Sequence, residues 1–242
     1  MAGMAGQTGS DGTELLAGIS GGRVLDAATG SGRFIVYLRD RLKDFSEIVG
    51  IDVDEGAVEP FRKRLSNDPH VRFMAMDARR LEFPARSFDT ASIAHALCEF
   101  DDPLDVLAGL VRVVRQGGNL IVAESFREQD SEPTMNAILL HDWWVAVEAL
   151  AGAKHCAFRR RTELVQDLNR LGLSELQILD VPTDQTDPWE PEMRTQLDGL
   201  AERYLALAAG NRPLQERGAA LMQRVHDTGF LPATALLAVG RA

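Results

Sequence analysis

Val24-Leu25-Asp26-Ala27-Ala28-Thr29-Gly30-Ser31-Gly32-Arg33-Phe34 decides the fold of this 242-residue chain. It reads as a short apolar strand, a turn of small residues, and the start of a helix. Small residues let the backbone approach a neighbour closely, and glycine reaches positive φ without strain. Working outward, short apolar runs bounded by turn residues predict strands at Arg23–Ala28, Glu47–Asp52, Val71–Met76, Phe88–Ala94 and Asn119–Glu124. Amphipathic stretches between them predict helices at Gly32–Leu42, Glu55–Ser66 and Pro103–Arg115. In the last of these, Leu104, Leu107, Val111 and Val114 recur at helical spacing. Pro103 suits a first turn, Asp101 or Asp102 can cap it, and Gly117-Gly118 ends it. Strands alternating with helices predict a doubly wound α/β fold, a mostly parallel sheet covered on both faces.

The second half departs from simple alternation. Thr134–Ala153 reads as one long helix, apolar around most of its circumference, and Thr162–Leu171 as another. Leu176–Val181 and Thr234–Gly240 read as strands, the last antiparallel. Pro182–Pro191 is a polar, acidic loop. Two amphipathic helices follow it, one striped by Leu197, Leu200, Tyr204 and Leu207, the other by Leu214, Leu221, Met222 and Val225. The expected organisation is a flexible tail over residues 1–13 and a single domain over 14–242. That domain carries a helical insert at 130–155 after the fifth strand and a second at 183–230 between the last two strands. The second insert is expected to form a lid or a homodimer surface.

Composition narrows the partners. Hydrophobic residues make up 45% of the chain and charged residues 26%, as in a globular protein. The net charge is −10, spread as −6 over residues 1–130 and −2 over each of 131–182 and 183–242. No basic half is hidden by an acidic one, which argues against nucleic acid or an anionic membrane as partner. No stretch approaches the ~20 apolar residues of a membrane span. Arg23 is the first cation, so a signal peptide, with its basic start, is not expected. With only Cys98 and Cys156, a disulfide framework or structural zinc site is not expected, and the expected location is the cytoplasm.

Asp52 ends the second strand about twenty residues beyond the glycine turn, where a carboxylate can accept both hydroxyls of a ribose. At this point the chain resembles the class I S-adenosylmethionine-dependent methyltransferases, through Asp26-Ala27-Ala28-Thr29-Gly30-Ser31-Gly32. Ala28 stands where that family has its first glycine. Further along, Ser87-Phe88-Asp89 opens the fourth strand as the family's motif does, and Val113–Leu120 looks like its helix-to-glycine turn. The resemblance implies a Rossmann-like sheet, S-adenosyl-L-methionine as cofactor, and methyl transfer to a small-molecule acceptor by in-line displacement. Alternatives are a protein acceptor, or a non-catalytic cofactor-binding regulator of the same fold. By the same resemblance the cofactor would lie on Asp26, Ala27, Ala28, Gly30 and Gly32, with Asp52 on its ribose, Val53 flanking adenine, Asp77 and Ala78 near the adenine amino group, and Ala94 and His95 beside its methionine part. A dinucleotide dehydrogenase would share the turn and Asp52. It would need a third glycine where Ile35 stands, would give Asp77 no role, and would want a Tyr-x-x-x-Lys pair that the chain lacks.

The chemistry of the acceptor is sought in two places. His95 follows the fourth strand, at the carboxyl edge where open α/β sheets bind ligands. It reads as a base, as part of the cofactor shell, or as a loop histidine held by backbone. His141, Trp143 and Trp144 on the long helix read either as acceptor-pocket lining, with His141 a second candidate base, or as core. His141 and Glu148 stand seven apart, on one helix face. Cys98 reads as a small core residue, and Arg159-Arg160-Arg161 as a solvated helix start or a contact for an anionic acceptor.

Overall fold

The computed structural model describes residues 12–65, 68–153, 156–182 and 184–242. Residues 1–11 of the expected tail, Ser66 at the end of an expected helix, and Lys154, His155 and Thr183 of the inserts lie outside the described residues. Seven strands form one sheet: β1 (Arg23–Ala27), β2 (Glu47–Asp52), β3 (Val71–Ala75), β4 (Phe88–Ala94), β5 (Val114–Ser125), β6 (Ser174–Val181) and β7 (Ala235–Arg241). Their order is β3-β2-β1-β4-β5-β7-β6. The first five run parallel, while β7 is antiparallel to both β5 and β6. The sheet is thus the doubly wound, mostly parallel one that the alternation predicts, with its last strand reversed.

Strand alternation divides the core. Leu25 and Ala27 face the layer formed by α4 (Pro103–Val113) and α6 (Arg161–Arg170), where Leu107, Leu110, Leu164 and Leu168 are buried. Val24 faces the opposite layer, formed by α1 (Gly12–Ala17), α2 (Arg33–Arg41) and α3 (Val58–Leu65), where Leu16, Ile35, Leu38 and Phe61 are buried. Gly12 and Thr13, placed in the tail by the sequence reading, belong to α1, and Gly12 is buried. The fourth helix ends sooner than its apolar spacing suggests, at Val113. Val114 already pairs with Phe88, and the register shifts before Thr90 pairs with Asn119.

The two helical inserts are one layer, which the sequence treated as two. The long apolar helix is α5 (Glu132–Glu148), and α7 (Pro191–Leu207) and α8 (Arg212–Thr228) pack on it. An all-round apolar helix needs neighbours on more than one side, and these two supply them. Trp143 is the centre of that packing. It is fully buried, and its indole N–H donates to the Leu214 carbonyl at 2.9 Å. A Cβ on Gly218 would come within 2.2 Å of the Trp143 ring, so glycine is what lets α8 approach. The same helix carries hydrogen bonds to the end of α8: Asn136 donates to Thr228 Oγ1 and the Gly229 carbonyl, and accepts from Arg224.

Candidate active site

Parallel strands bring the carboxyl ends of β1, β2, β4 and β5 to one edge. The order reverses between β2 and β4 on either side of β1, the place where such sheets open a crevice. The glycine turn lies there. Thr29 N–H donates to the Ile51 carbonyl at 2.9 Å, and Gly32 N–H to the Thr29 carbonyl at 2.8 Å. Ala28, Gly30 and Gly32 all have positive φ, at 50°, 49° and 76°. Gly32 must be glycine on a second count: a Cβ would lie 2.5 Å from the Leu65 side chain. Around Gly30, by contrast, an added Cβ would meet nothing within 4 Å, so the turn faces open space.

Two carboxylates hold this turn. Asp26 is buried at the end of β1, where it accepts from Thr29 Oγ1 at 2.6 Å and from Ser92 Oγ at 2.7 Å. Burial pushes its pKa up to about 6, against the pull of those two hydrogen bonds. Asp52 accepts the Gly30 N–H at 2.7 Å on one oxygen and the Asp54 N–H at 2.9 Å on the other. A carboxylate offers about four lone-pair sites, so Asp52 keeps acceptor capacity for hydroxyls after both bonds are made.

The crevice over the turn has two parts. A cavity of about 450 Å³ is lined by Ala28, Asp52, Val53, Asp77, Ala78 and His95, among others. A second, of about 360 Å³, follows the glycine turn past Asp26, Thr29, Gly30, Ala94 and His95. Val53 is 63% exposed, an apolar surface beside the Asp52 carboxylate. Asp77 grips Arg79 through both oxygens, at 2.7–3.0 Å, and that hydrogen bonding holds its carboxyl below the usual range. The cradle of positive-φ residues, the acid beyond it and the open space at Gly30 fit an extended ligand with a hydroxylated ring at Asp52. Ala27 supplies backbone only, since its side chain is fully buried in the core.

His95 borders both parts and a further cavity of about 440 Å³ on their far side. It has φ of 50°, strained for a residue with a Cβ, and such strain gathers at functional sites. Its N–H donates to the Ala123 carbonyl at 2.8 Å, and its Nδ1 lies 3.3 Å from Ser125 Oγ. Although the ring reaches solvent through the cavities, the protein around it lowers its pKa by desolvation. The far cavity is walled by Phe34 and Tyr37, stacked at 5.6 Å, and by Val181, Pro232 and Leu237, with Arg33, Ser125 and Asp184 as polar lining. Arg41 lies 3.8 Å from the Tyr37 ring centroid and 3.6 Å from Asp184.

The acceptor residues expected on the long helix are elsewhere. None of His141, Trp143 and Trp144 lines these cavities. Trp143 belongs to the helical core, Trp144 tilts against Tyr204 at 5.7 Å, and His141 stacks on Phe158 at 3.8 Å. Glu148 accepts from the Tyr204 hydroxyl. Two of the three arginines in the run are paired: Arg159 with Asp167, and Arg161 with Asp180 at 2.8 Å, while Arg160 is exposed. Cys98 is buried, and burial pushes its thiol pKa up. Phe34, Tyr37 and Ser125 were missed by the sequence reading. The i, i+3 spacing of the first two at the start of α2, and the position of Ser125 where β5 ends, were the available signals.

Residues 25–122 match the family model described as a methyltransferase domain. The demethylmenaquinone methyltransferase of Clavibacter sepedonicus is 34% identical over 112 residues, 46% of this chain and 44% of that protein. The ubiquinone/menaquinone biosynthesis C-methyltransferase of Geobacter sulfurreducens is 32% identical over 107 residues, 43% and 42% of the two chains. The match therefore spans less than half the length of these relatives. Among solved structures, the [4+2]-cyclase SpnF superposes with a TM-score of 0.62 at 22% identity, covering 95% of this chain and 78% of that one. The geranyl diphosphate C-methyltransferase of Streptomyces coelicolor A3(2), solved with Mg²⁺, geranyl diphosphate and S-adenosyl-L-homocysteine, gives 0.55 at 16% identity, over 95% and 76%. The matched stretch holds most of β1, all of β2 to β4 and most of β5, with every carboxylate of the crevice inside it. Residues 25–122 thus match a methyltransferase domain, and the chain as a whole shares the fold of these solved neighbours.

Proposed function

We propose that this protein transfers a methyl group from S-adenosyl-L-methionine to a small-molecule acceptor. The observation that carries this reading is the position of His95, which separates the crevice over the glycine turn from the apolar cavity behind it. A donor on one side and an acceptor on the other would meet at that residue.

When bound, S-adenosyl-L-methionine supplies a methyl group already activated by its sulfonium. The protein's own work is then mainly alignment. Backbone at Ala28, Gly30 and Ala94 bounds the donor side, and the free lone pairs of Asp52 suit ribose hydroxyls. Phe34 and Tyr37 offer a flat wall for the acceptor and exclude water from one side of it. Desolvation by the protein around His95 favours its neutral form, which can take a proton from an acceptor hydroxyl. Among the described residues no cluster of three or more His, Cys, Asp or Glu could hold a metal ion.

The relatives' names make quinol precursors the first acceptors to try, and a largely apolar cavity with Arg33, Ser125 and Asp184 in its lining is compatible with a hydroxylated ring. The test is incubation with methyl-labelled S-adenosyl-L-methionine and a panel of hydroxylated naphthalenes, followed by mass spectrometry of both products. Labelled acceptor from wild type, and at least about tenfold less from His95→Ala, would support the reading. Acceptor converted without label would move the protein to another reaction on the same fold, as the cyclase neighbour does by name.

A further inference from the structure

Glu124 is a buried acid that the reaction above does not use. It lies near the end of β5, 2% exposed, on the face of the sheet that holds Leu97, Phe126 and Leu236. Burying a carboxylate among such neighbours is costly unless hydrogen bonds compensate. One of its oxygens, Oε2, accepts two consecutive backbone N–H groups, from Ala96 at 3.0 Å and Leu97 at 2.8 Å. The other, Oε1, has no hydrogen-bond partner. An apolar residue would fill the same space without that orphaned oxygen, so packing alone does not account for a glutamate here.

What the carboxylate holds is the turn leaving β4. His95 donates its N–H to the Ala123 carbonyl, and Ala96 and Leu97 donate theirs to Glu124. Three successive amides are thereby tied to two consecutive residues of β5. The turn they define keeps His95 at positive φ, with its ring at the meeting of the three cavities. Ala96 itself lines the larger crevice. We infer that Glu124 is a positioning residue: it fixes the His95–Leu97 turn, and binding in the crevice depends on it although it borders none of the cavities. The inference rests on the cofactor reading given above.

Its charge state is coupled to the same contacts. Burial pushes the Glu124 pKa up to about 7, opposed by the Leu97 and Ala96 amides and more weakly by the Ser125 amide, and Glu99 on the same turn adds to the rise. The other titratable groups on or against this turn are His95, the Cys98 thiol and Cys156, whose N–H donates to the Cys98 carbonyl at 3.0 Å. The ionised carboxylate is the stronger acceptor for both amides, so the turn is held more firmly above pH 7 than below it.

The test combines S-adenosyl-L-homocysteine titration calorimetry at pH 6 and pH 8 with amide hydrogen exchange, on wild type, Glu124→Gln and Glu124→Ala. Removing an acceptor of two amides should weaken binding at least about tenfold in Glu124→Ala. It should also raise exchange at Ala96 and Leu97 while the amides of β1 and β2 stay protected. Glu124→Gln, a neutral isostere, should match wild type at pH 6 and bind about threefold more weakly at pH 8. The inference is overturned if Glu124→Ala binds and exchanges like wild type. A gap between wild type and Glu124→Gln that is the same at both pH values would also overturn it, and that comparison decides the matter if Glu124→Ala fails to fold. Absence of binding by wild type would instead remove the cofactor reading, while the exchange data would still report on the hold over the turn.

Discussion

Asp52 at the end of β2 accepts the backbone N–H of Gly30 at 2.7 Å, so the carboxylate is itself part of the glycine turn. One side chain thereby shapes the cradle and faces the crevice. Replacing it should damage both. Asp52→Ala is expected to weaken S-adenosyl-L-homocysteine binding by one to two orders of magnitude, from the loss of charge-assisted hydrogen bonds of about 1.5–3 kcal/mol each. Asp52→Asn keeps one acceptor and should lose less. Titration calorimetry measures both. Equal affinity for Asp52→Ala and wild type would take Asp52 out of the site.

Ala28 sits at φ 50°, in a region that favours glycine. The left-handed conformation costs an L-residue about 1–2 kcal/mol, and glycine gives back part of that gain through its freer unfolded chain. Ala28→Gly should therefore stabilise by less than about 1 kcal/mol and retain cofactor affinity. Ala28→Val, β-branched at positive φ, should destabilise the protein and weaken binding. Urea denaturation and calorimetry on the two variants check the pair.

Legibility in the sequence followed the range of the interactions. The turn, Asp26, Asp52 and the ends of β1 to β4 were readable because short-range patterns set them: apolar runs, turn residues and a carboxylate at a strand end. The far cavity, proposed for the acceptor, was not. Trp143 and Trp144 looked available because α5 is apolar all round, yet the sequence alone does not show that α7 and α8 return to cover it. The far cavity is assembled from α2, β5, β7 and the segment after β6, pieces up to about two hundred positions apart. Glu124 was hidden for another reason. Within Leu120-Ile121-Val122-Ala123-Glu124 it reads as the polar end of a strand, and only the approach of the Ala96 and Leu97 amides gives it a task.

Two buried acids give stability a pH dependence opposite to the usual loss in acid. Burial raises Asp26 to about 6 and Glu124 to about 7, above their unfolded values of 3.8 and 4.5. Between about pH 4 and pH 7 the folded state holds more protons than the unfolded chain, so these groups lend stability at low pH that is lost as pH rises through their folded values. The loss is on the order of 3 kcal/mol for each. Glu47 and Asp77, whose pKa values are lowered, act in the opposite sense at lower pH. Comparing urea midpoints of wild type and Asp26→Asn from pH 5 to pH 8 isolates one contribution: the difference between the two should change steadily with pH up to about 6 and then level off.

The helical layer should be separable from the crevice. Gly218→Val would place atoms inside the Trp143 ring, and overpacking of this kind costs about 1–3 kcal/mol. Its thermal midpoint should fall. S-adenosyl-L-homocysteine affinity measured well below that midpoint should stay within about twofold of wild type, because no residue of the crevice comes from α5, α7 or α8. A large loss of affinity would show that the layer supports the crevice from a distance.

On the reading proposed above, the crevice at β1, β2 and β4 holds S-adenosyl-L-methionine. Native mass spectrometry of the intact chain with S-adenosyl-L-homocysteine, run beside Asp52→Ala, tests it most directly. The prediction is one bound molecule per wild-type chain, displaced by S-adenosyl-L-methionine and depleted in Asp52→Ala. An unliganded wild type at saturating concentration, or an adduct equally abundant in the variant, would contradict it.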